Sequence, residues 1–134
     1  MRDEAPRYSP WGTVDHCERL CAGVFSVSTP SHGGIMADTA TAMRVFSGKA
    51  LERSFREGGY ICFEEDCAAP VAIRELMDRG LYQAPVNEYW KPGEYSAVID
   101  SSIQRWHPDY WAAREAGQTR QTAAQESAAK EHER

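Results

Sequence analysis

The residues able to do chemistry in this chain gather in two short runs, Pro30-Ser31-His32-Gly33-Gly34 and Glu64-Glu65-Asp66-Cys67. A cysteine thiolate is a nucleophile, an imidazole is its usual base, and a carboxylate can hold that imidazole in the working tautomer. Cys67, His32 and Asp66 are therefore candidate catalytic residues for hydrolysis or acyl transfer. Cys67 is expected at a helix N-terminus, where the dipole favours the thiolate. A plainer reading covers the same residues: Asp66 caps the helix, Cys67 is buried, and His32 steadies a Gly-Gly turn. A third needs no reaction at all. Ser31, His32, Glu64 and Glu65 then form a polar binding surface, whose carboxylates would pair with Arg or Lys of another protein.

Metal chemistry has two candidate sources. His16, Cys17 and Cys21 lie close in sequence, and Cys62 and Cys67 form a second pair. Structural zinc uses such pairs, but with tighter and more regular spacing. Cys17 points away from His16 if both lie on a strand, and Cys62 sits in an apolar run where cysteine serves as a small hydrophobe. Glu64, Glu65 and Asp66 suit a hard cation, yet successive strand residues alternate sides, so three in a row should not converge. Neither a metal nor a cofactor is expected. The aromatic set Trp90, Tyr95, Trp106, Tyr110 and Trp111 could anchor an interface; the simpler expectation puts Trp106 in the core and the others at its rim.

Composition narrows the classes. The chain has 134 residues, 42% hydrophobic and 26% charged, with a formal net charge of −5. That length can bury a core without disulfides or metal. A mixed, mildly acidic surface does not suit direct nucleic-acid binding, which needs basic groups to displace counterions from phosphate. The N-terminal run Met1-Arg2-Asp3-Glu4-Ala5-Pro6 lacks an apolar stretch, and no run is long enough to span a bilayer. The expected setting is cytoplasmic, with no membrane and with four reduced cysteines.

The elements that must position these residues can be read from pattern. Gly23-Val24-Phe25-Ser26-Val27-Ser28 alternates as a strand, and a hairpin of 13–17 against 22–28 turns at Glu18-Arg19. Ile35-Met36-Ala37 is a short strand, then Asp38 or Thr39 caps a helix to about Phe46. Ser47 caps a further helical turn with Leu51 and Phe55 at i, i+4, stopped by Gly58-Gly59. Tyr60-Ile61-Cys62-Phe63 is a strand. Asp66 caps a helix over about 67–79 with Val71, Ile73, Leu76 and Met77 inward and Gly80 as the terminating residue. A helix from about Glu94 to Trp106 turns Val98, Ile99, Ile103 and Trp106 inward. The reading is α+β: a small antiparallel sheet of three to four strands packed by three to four helices. Residues 1–10 form a flexible lead-in, 11–114 the domain, and 115–134 a polar helical or disordered tail, with the oligomeric state left open.

The motifs also carry a resemblance. Trp11-Gly12, Val27 to Gly34, Gly59 to Cys67 and the block Trp106-His107-Pro108-Asp109-Tyr110-Trp111 resemble an uncharacterised family of small domains found in phages, prophages and conjugative plasmids. The likeness spans about residues 11–114 and brings no assigned activity, cofactor or catalytic residue. It implies context: an accessory protein of a mobile element. The resulting expectation is a non-enzymatic binder of a host or phage protein, such as a nucleic-acid-binding defence complex of CRISPR or restriction type. The alternatives are the Cys67–His32 enzyme and a zinc-stapled module.

Overall fold

A computed structural model describes residues 3–117. The remainder of the expected tail lies outside the described residues. The chain is α+β, in the order β1 (Tyr8–Ser9), β2 (Gly12–Thr13), β3 (His16–Cys21), β4 (Val24–Ser28), β5 (Gly33–Asp38), α1 (Thr39–Val45), α2 (Gly48–Leu51), β6 (Phe55–Glu57), β7 (Tyr60–Glu64), α3 (Ala69–Asp78), α4 (Glu94–Trp106) and α5 (Pro108–Glu115). The main sheet is antiparallel with five strands in the order β3-β4-β5-β7-β6, and β1 and β2 form a separate small ribbon.

Period-two alternation gives the sheet two buried faces. Val24, Ile35, Ala37, Ile61 and Phe63 point toward the helices and join Ala42, Phe46, Val71, Leu76, Ile103 and Tyr110 in the larger core. Phe25, Val27, Met36, Tyr60 and Cys62 point the other way, where Trp11 and Val14 of the N-terminal segment cover them. Residues 3–10, expected as a loose lead-in, are tied to the domain. Asp3 accepts two hydrogen bonds from Arg19, at 3.0 and 2.8 Å, and one from the Gly23 amide at 2.8 Å. Those donors hold its carboxyl down at about 2.

Several local expectations are corrected. The first hairpin turns at Ala22-Gly23, with Gly23 at φ +78°, and β3 runs straight through Glu18-Arg19. Ser47 caps α2 as read, its hydroxyl accepting from the Ala50 amide at 3.2 Å. The helix then stops at Leu51, and Phe55 opens strand β6. Gly58-Gly59, both at positive φ, close the β6–β7 hairpin and do not end a helix. The α+β reading holds; among the described residues the main sheet has five strands, with two more in the ribbon, and there are five helices, beside the three to four of each expected. In α4, Ile99 and Ile103 are buried, whereas Val98 and Trp106 are exposed. Trp106 is the last residue of α4 and stacks beside Arg105. Pro108 starts a new helix, and this turns Tyr110 into the core in place of Trp106.

The helical layer is held by polar bonds as well as packing. Glu75 of α3 is 1% exposed. It accepts from the Ser47 amide (2.8 Å), the Ser47 hydroxyl (2.6 Å) and the Tyr110 hydroxyl (2.6 Å). A buried carboxylate needs such donors to offset its lost hydration. One side chain thereby pins α2 and α5 to α3. Arg74 adds Asp78, Ser96 and Asp100, and Arg114 returns from α5 to Asp78. Gly80, at φ +71°, ends α3 in a Schellman motif: its amide bonds the Met77 carbonyl, and the Leu81 amide bonds that of Leu76. Tyr110→Phe keeps the ring and removes one donor from buried Glu75. It should lower unfolding stability by about 1–3 kcal/mol, read as a reduced urea midpoint at unchanged m-value.

Candidate functional site

The two motifs of the sequence meet at one end of the sheet because β5 and β7 are neighbours. Their register sets Gly34 opposite Glu64 and Ile35 opposite Phe63. His32 lies two residues before Gly34 and so falls on the same side as Glu64. Pro30 and Ser31 occupy the exposed tip of the β4–β5 loop. Thr29 closes that loop: its amide bonds the His32 carbonyl at 2.8 Å, and its hydroxyl accepts from the His32 amide at 3.1 Å. The turn is therefore Thr29 to His32, and Gly33-Gly34 are the first residues of β5.

These glycines serve close approach, not positive φ. A side chain at Gly33 would meet the Val27 carbonyl oxygen at 2.4 Å. One at Gly34 would meet the Phe63 carbonyl oxygen at 2.2 Å and the Trp11 ring at 2.5 Å. Trp11 lies over Gly34, and its edge contacts both His32 and Phe55. The imidazole is thus wedged between an indole and the acidic run.

Glu64 ends β7, and Glu65 to Ala68 form turns before α3. The Glu65 amide bonds the Gly33 carbonyl at 3.0 Å, and this folds the acidic turn back over the start of β5. His32 Nε2 is 2.9 Å from Glu64 Oε1; Nδ1 is 3.5 Å from Glu65 Oε1 and 3.9 Å from Asp66 Oδ2. Because Glu65 and Asp66 have left the strand, alternation no longer separates them, and all three carboxylates face one ring. The hydrogen bond to Glu64 is the main reason the His32 pKa is raised, with the charges of Glu64, Asp66 and Glu65 adding to it. Asp66 does not cap α3, whose N-cap is Ala68 without a side-chain bond.

Cys67 has a different neighbour. Its Sγ is 3.8 Å from Nε2 of His107, a residue absent from the sequence-derived candidates. His107 is buried between α4 and α5 with both nitrogens engaged. Nδ1 accepts from Arg53 Nε at 3.0 Å, which leaves the proton on Nε2 for the Cys67 carbonyl at 2.7 Å. Arg53 also binds the Lys49 carbonyl and the Asp109 carboxylate, and that contact holds Asp109 below the usual carboxylate range. The ring nitrogen nearest the thiol is a committed donor and has no lone pair for the thiol's proton. The only sequence hint of this arrangement was the His107-Pro108 helix break.

The structure thus brings His32, Glu64, Glu65 and Asp66 together, leaves Ser31 at the loop tip, and sets Cys67 against a second histidine. Cys62 is fully buried on β7, where burial pushes its thiol up to about 12. Cys17 is exposed on β3, and all four cysteines are free. Among the described residues, three or more potential metal ligands converge only at His32, Glu65 and Asp66.

A family model described as "Domain of unknown function (DUF7007)" matches residues 4–134. The chain belongs to this family. No curated protein and no solved structure matches it. The DUF7007 match takes in both motifs and the N-terminal segment that packs on them. Among its described residues, no helix is long and apolar enough to cross a membrane.

The raised His32 pKa fixes the sign of a pH effect. Its protonated contact stabilises the fold below the ordinary histidine value, and that contribution is lost as pH rises through the higher folded value. Followed by NMR of the ring protons, His32 should titrate above 6.5. Glu64→Ala, which removes the main cause of the shift, should bring it down.

Proposed function

We propose that the protein acts by binding another protein, without catalysis, through the surface formed by His32, Glu64, Glu65 and Asp66. The observation that carries this reading is the convergence of three carboxylates, with side chains 46–76% exposed, on one rigid sheet end. Carboxylates in a strand end and a pinned turn are preorganised, so little side-chain order is lost on docking. Their complement is a cationic surface rich in Arg or Lys, which speeds encounter and fixes register. Surfaces of that kind belong to proteins that hold nucleic acid. A host or phage defence complex of the CRISPR or restriction type fits this chemistry, and it fits the mobile-element context implied by the motif resemblance. Ser31, exposed beside His32, lies at the rim of the proposed contact.

The cysteine-nucleophile alternative has less support. Both nitrogens of His32 face carboxylates, and the histidine beside Cys67 has both of its own committed. A zinc staple built on cysteines is likewise disfavoured by the burial of Cys62 within β7.

Affinity capture from lysate of a phage-bearing host, run with the natural chain and with Glu64→Lys/Glu65→Lys, tests the reading. The natural chain should retain a basic partner that the doubly reversed variant loses while its circular dichroism stays unchanged. Binding by the natural chain should also weaken steeply with salt. Equal capture by both proteins would refute the acidic contact.

A further inference from the structure

We infer that His32, Glu65 and Asp66 form a binding site for a divalent first-row transition ion, with Glu64 holding the imidazole in place. The site lies on the face assigned above to partner binding, but the inference rests on its own geometry and needs no partner. One ligand atom from each of the three residues lies within 4.8 Å of the other two. Nδ1 is 3.5 Å from the Glu65 oxygen and 3.9 Å from the Asp66 oxygen. Ligands about 2.0–2.2 Å from a common ion stand roughly 3–4 Å apart, so this spacing needs only a small inward movement of two exposed side chains. It is also too long for good hydrogen bonds, so neither carboxylate is already satisfied by the ring.

More than carboxylates is present here. The imidazole is the group that distinguishes the site from an acidic surface, and its orientation is set by its other nitrogen. Nε2 meets Glu64 at 2.9 Å, which leaves Nδ1 aimed at Glu65 and Asp66. A carboxylate behind a ligating histidine is the usual way in which proteins fix a metal-binding ring and raise its basicity. Trp11 packs against the ring, and the Thr29 hydroxyl fixes the His32 backbone at 3.1 Å. The histidine is therefore positioned before an ion arrives. The mixed nitrogen and oxygen donor set, with no thiolate, suits Mn²⁺ or Zn²⁺ better than Ca²⁺, which takes oxygen ligands throughout. Three protein ligands on an open surface leave coordination positions for water or for a donor brought by a partner.

Calorimetric titration of the full chain with Mn²⁺ and with Zn²⁺, in the absence of any partner, tests the inference. One ion per chain should bind. His32→Gln and Asp66→Asn should each weaken binding at least tenfold, and Glu64→Ala, which removes no ligand, about 10–100-fold. Glu88→Gln, on the remote loop before α4, should change nothing. Amide spectra supply a second readout on the unmutated protein: substoichiometric Mn²⁺ should broaden residues 32–34 and 64–66 first. Absence of binding by both ions, or binding that survives both His32→Gln and Asp66→Asn, would overturn the site. Neither result bears on partner capture, which the charge-reversed variant tests separately.

Discussion

The absence of a side chain at Gly34 is the constraint on which the sheet end carrying the candidate site rests. Trp11 and the Phe63 carbonyl fill the space that a Cβ would take, so the N-terminal segment can lie directly on the central strand. That contact does three things. It covers the second face of the sheet, which carries Phe25, Val27, Met36, Tyr60 and Cys62 and against which, among the described residues, no helix packs. It gives the His32 ring a wall. It also brings β7 close enough for Glu64 to stand opposite Gly34. Gly33 continues the arrangement by accepting the Glu65 amide. The close packing of two adjacent glycines therefore decides where four ionisable side chains meet.

The helical face meets its own demand in a different way. There the critical group is buried Glu75, a carboxylate without a cationic partner among its hydrogen bonds. Its three donors come from the residue that caps α2 and from the ring that α5 inserts into the core. The network contributes to specificity as much as to stability, because any shift of α2 or α5 would strand a charge in a low-dielectric interior. Arg53, on the α2–β6 connection, completes the join by reaching His107 and Asp109 at the α4–α5 break. Both faces thus converge on the segment 64–68, which His32 and Gly33 hold from one side and His107 from the other.

Sequence pattern revealed those parts of this design that depend on local chemistry. The Ser47 cap, the Gly80 terminus, the Asp38 cap, the alternation of β4 and the short apolar run of β7 all follow from residues acting on their own neighbourhood. The errors arose where two local readings were equally good. Leu51 and Phe55 at helical spacing also fit a helix end followed by a strand, and only the pairing of β6 with β7 chooses between them. Asp66 has the chemistry of a cap, but the turn at residues 65–68 places it toward His32 and starts α3 later. Trp106 was placed inward with Ile99 and Ile103 on one helix face; Pro108 reorients the chain after it, and Tyr110 fills the core instead. His107 was missed because its partners, Arg53 and Cys67, lie 54 and 40 residues away in sequence.

The two histidines show why the candidate site belongs at His32. Each has one ring nitrogen fixed by a strong partner, Glu64 for His32 and Arg53 for His107. At His107 the second nitrogen is spent on the Cys67 carbonyl. The ring is buried, and every polar atom in it is accounted for. That is the pattern of a structural residue: it fastens the acidic turn to the helical layer and leaves nothing over for a ligand. At His32 the second nitrogen faces two carboxylates across gaps too long for good hydrogen bonds, on a surface open to solvent. Charge, donor atoms and access are all left unspent there. The frame that engages both nitrogens of one imidazole leaves the other beside exposed carboxylates, and it is to that surface that we assign the proposed partner and the proposed ion.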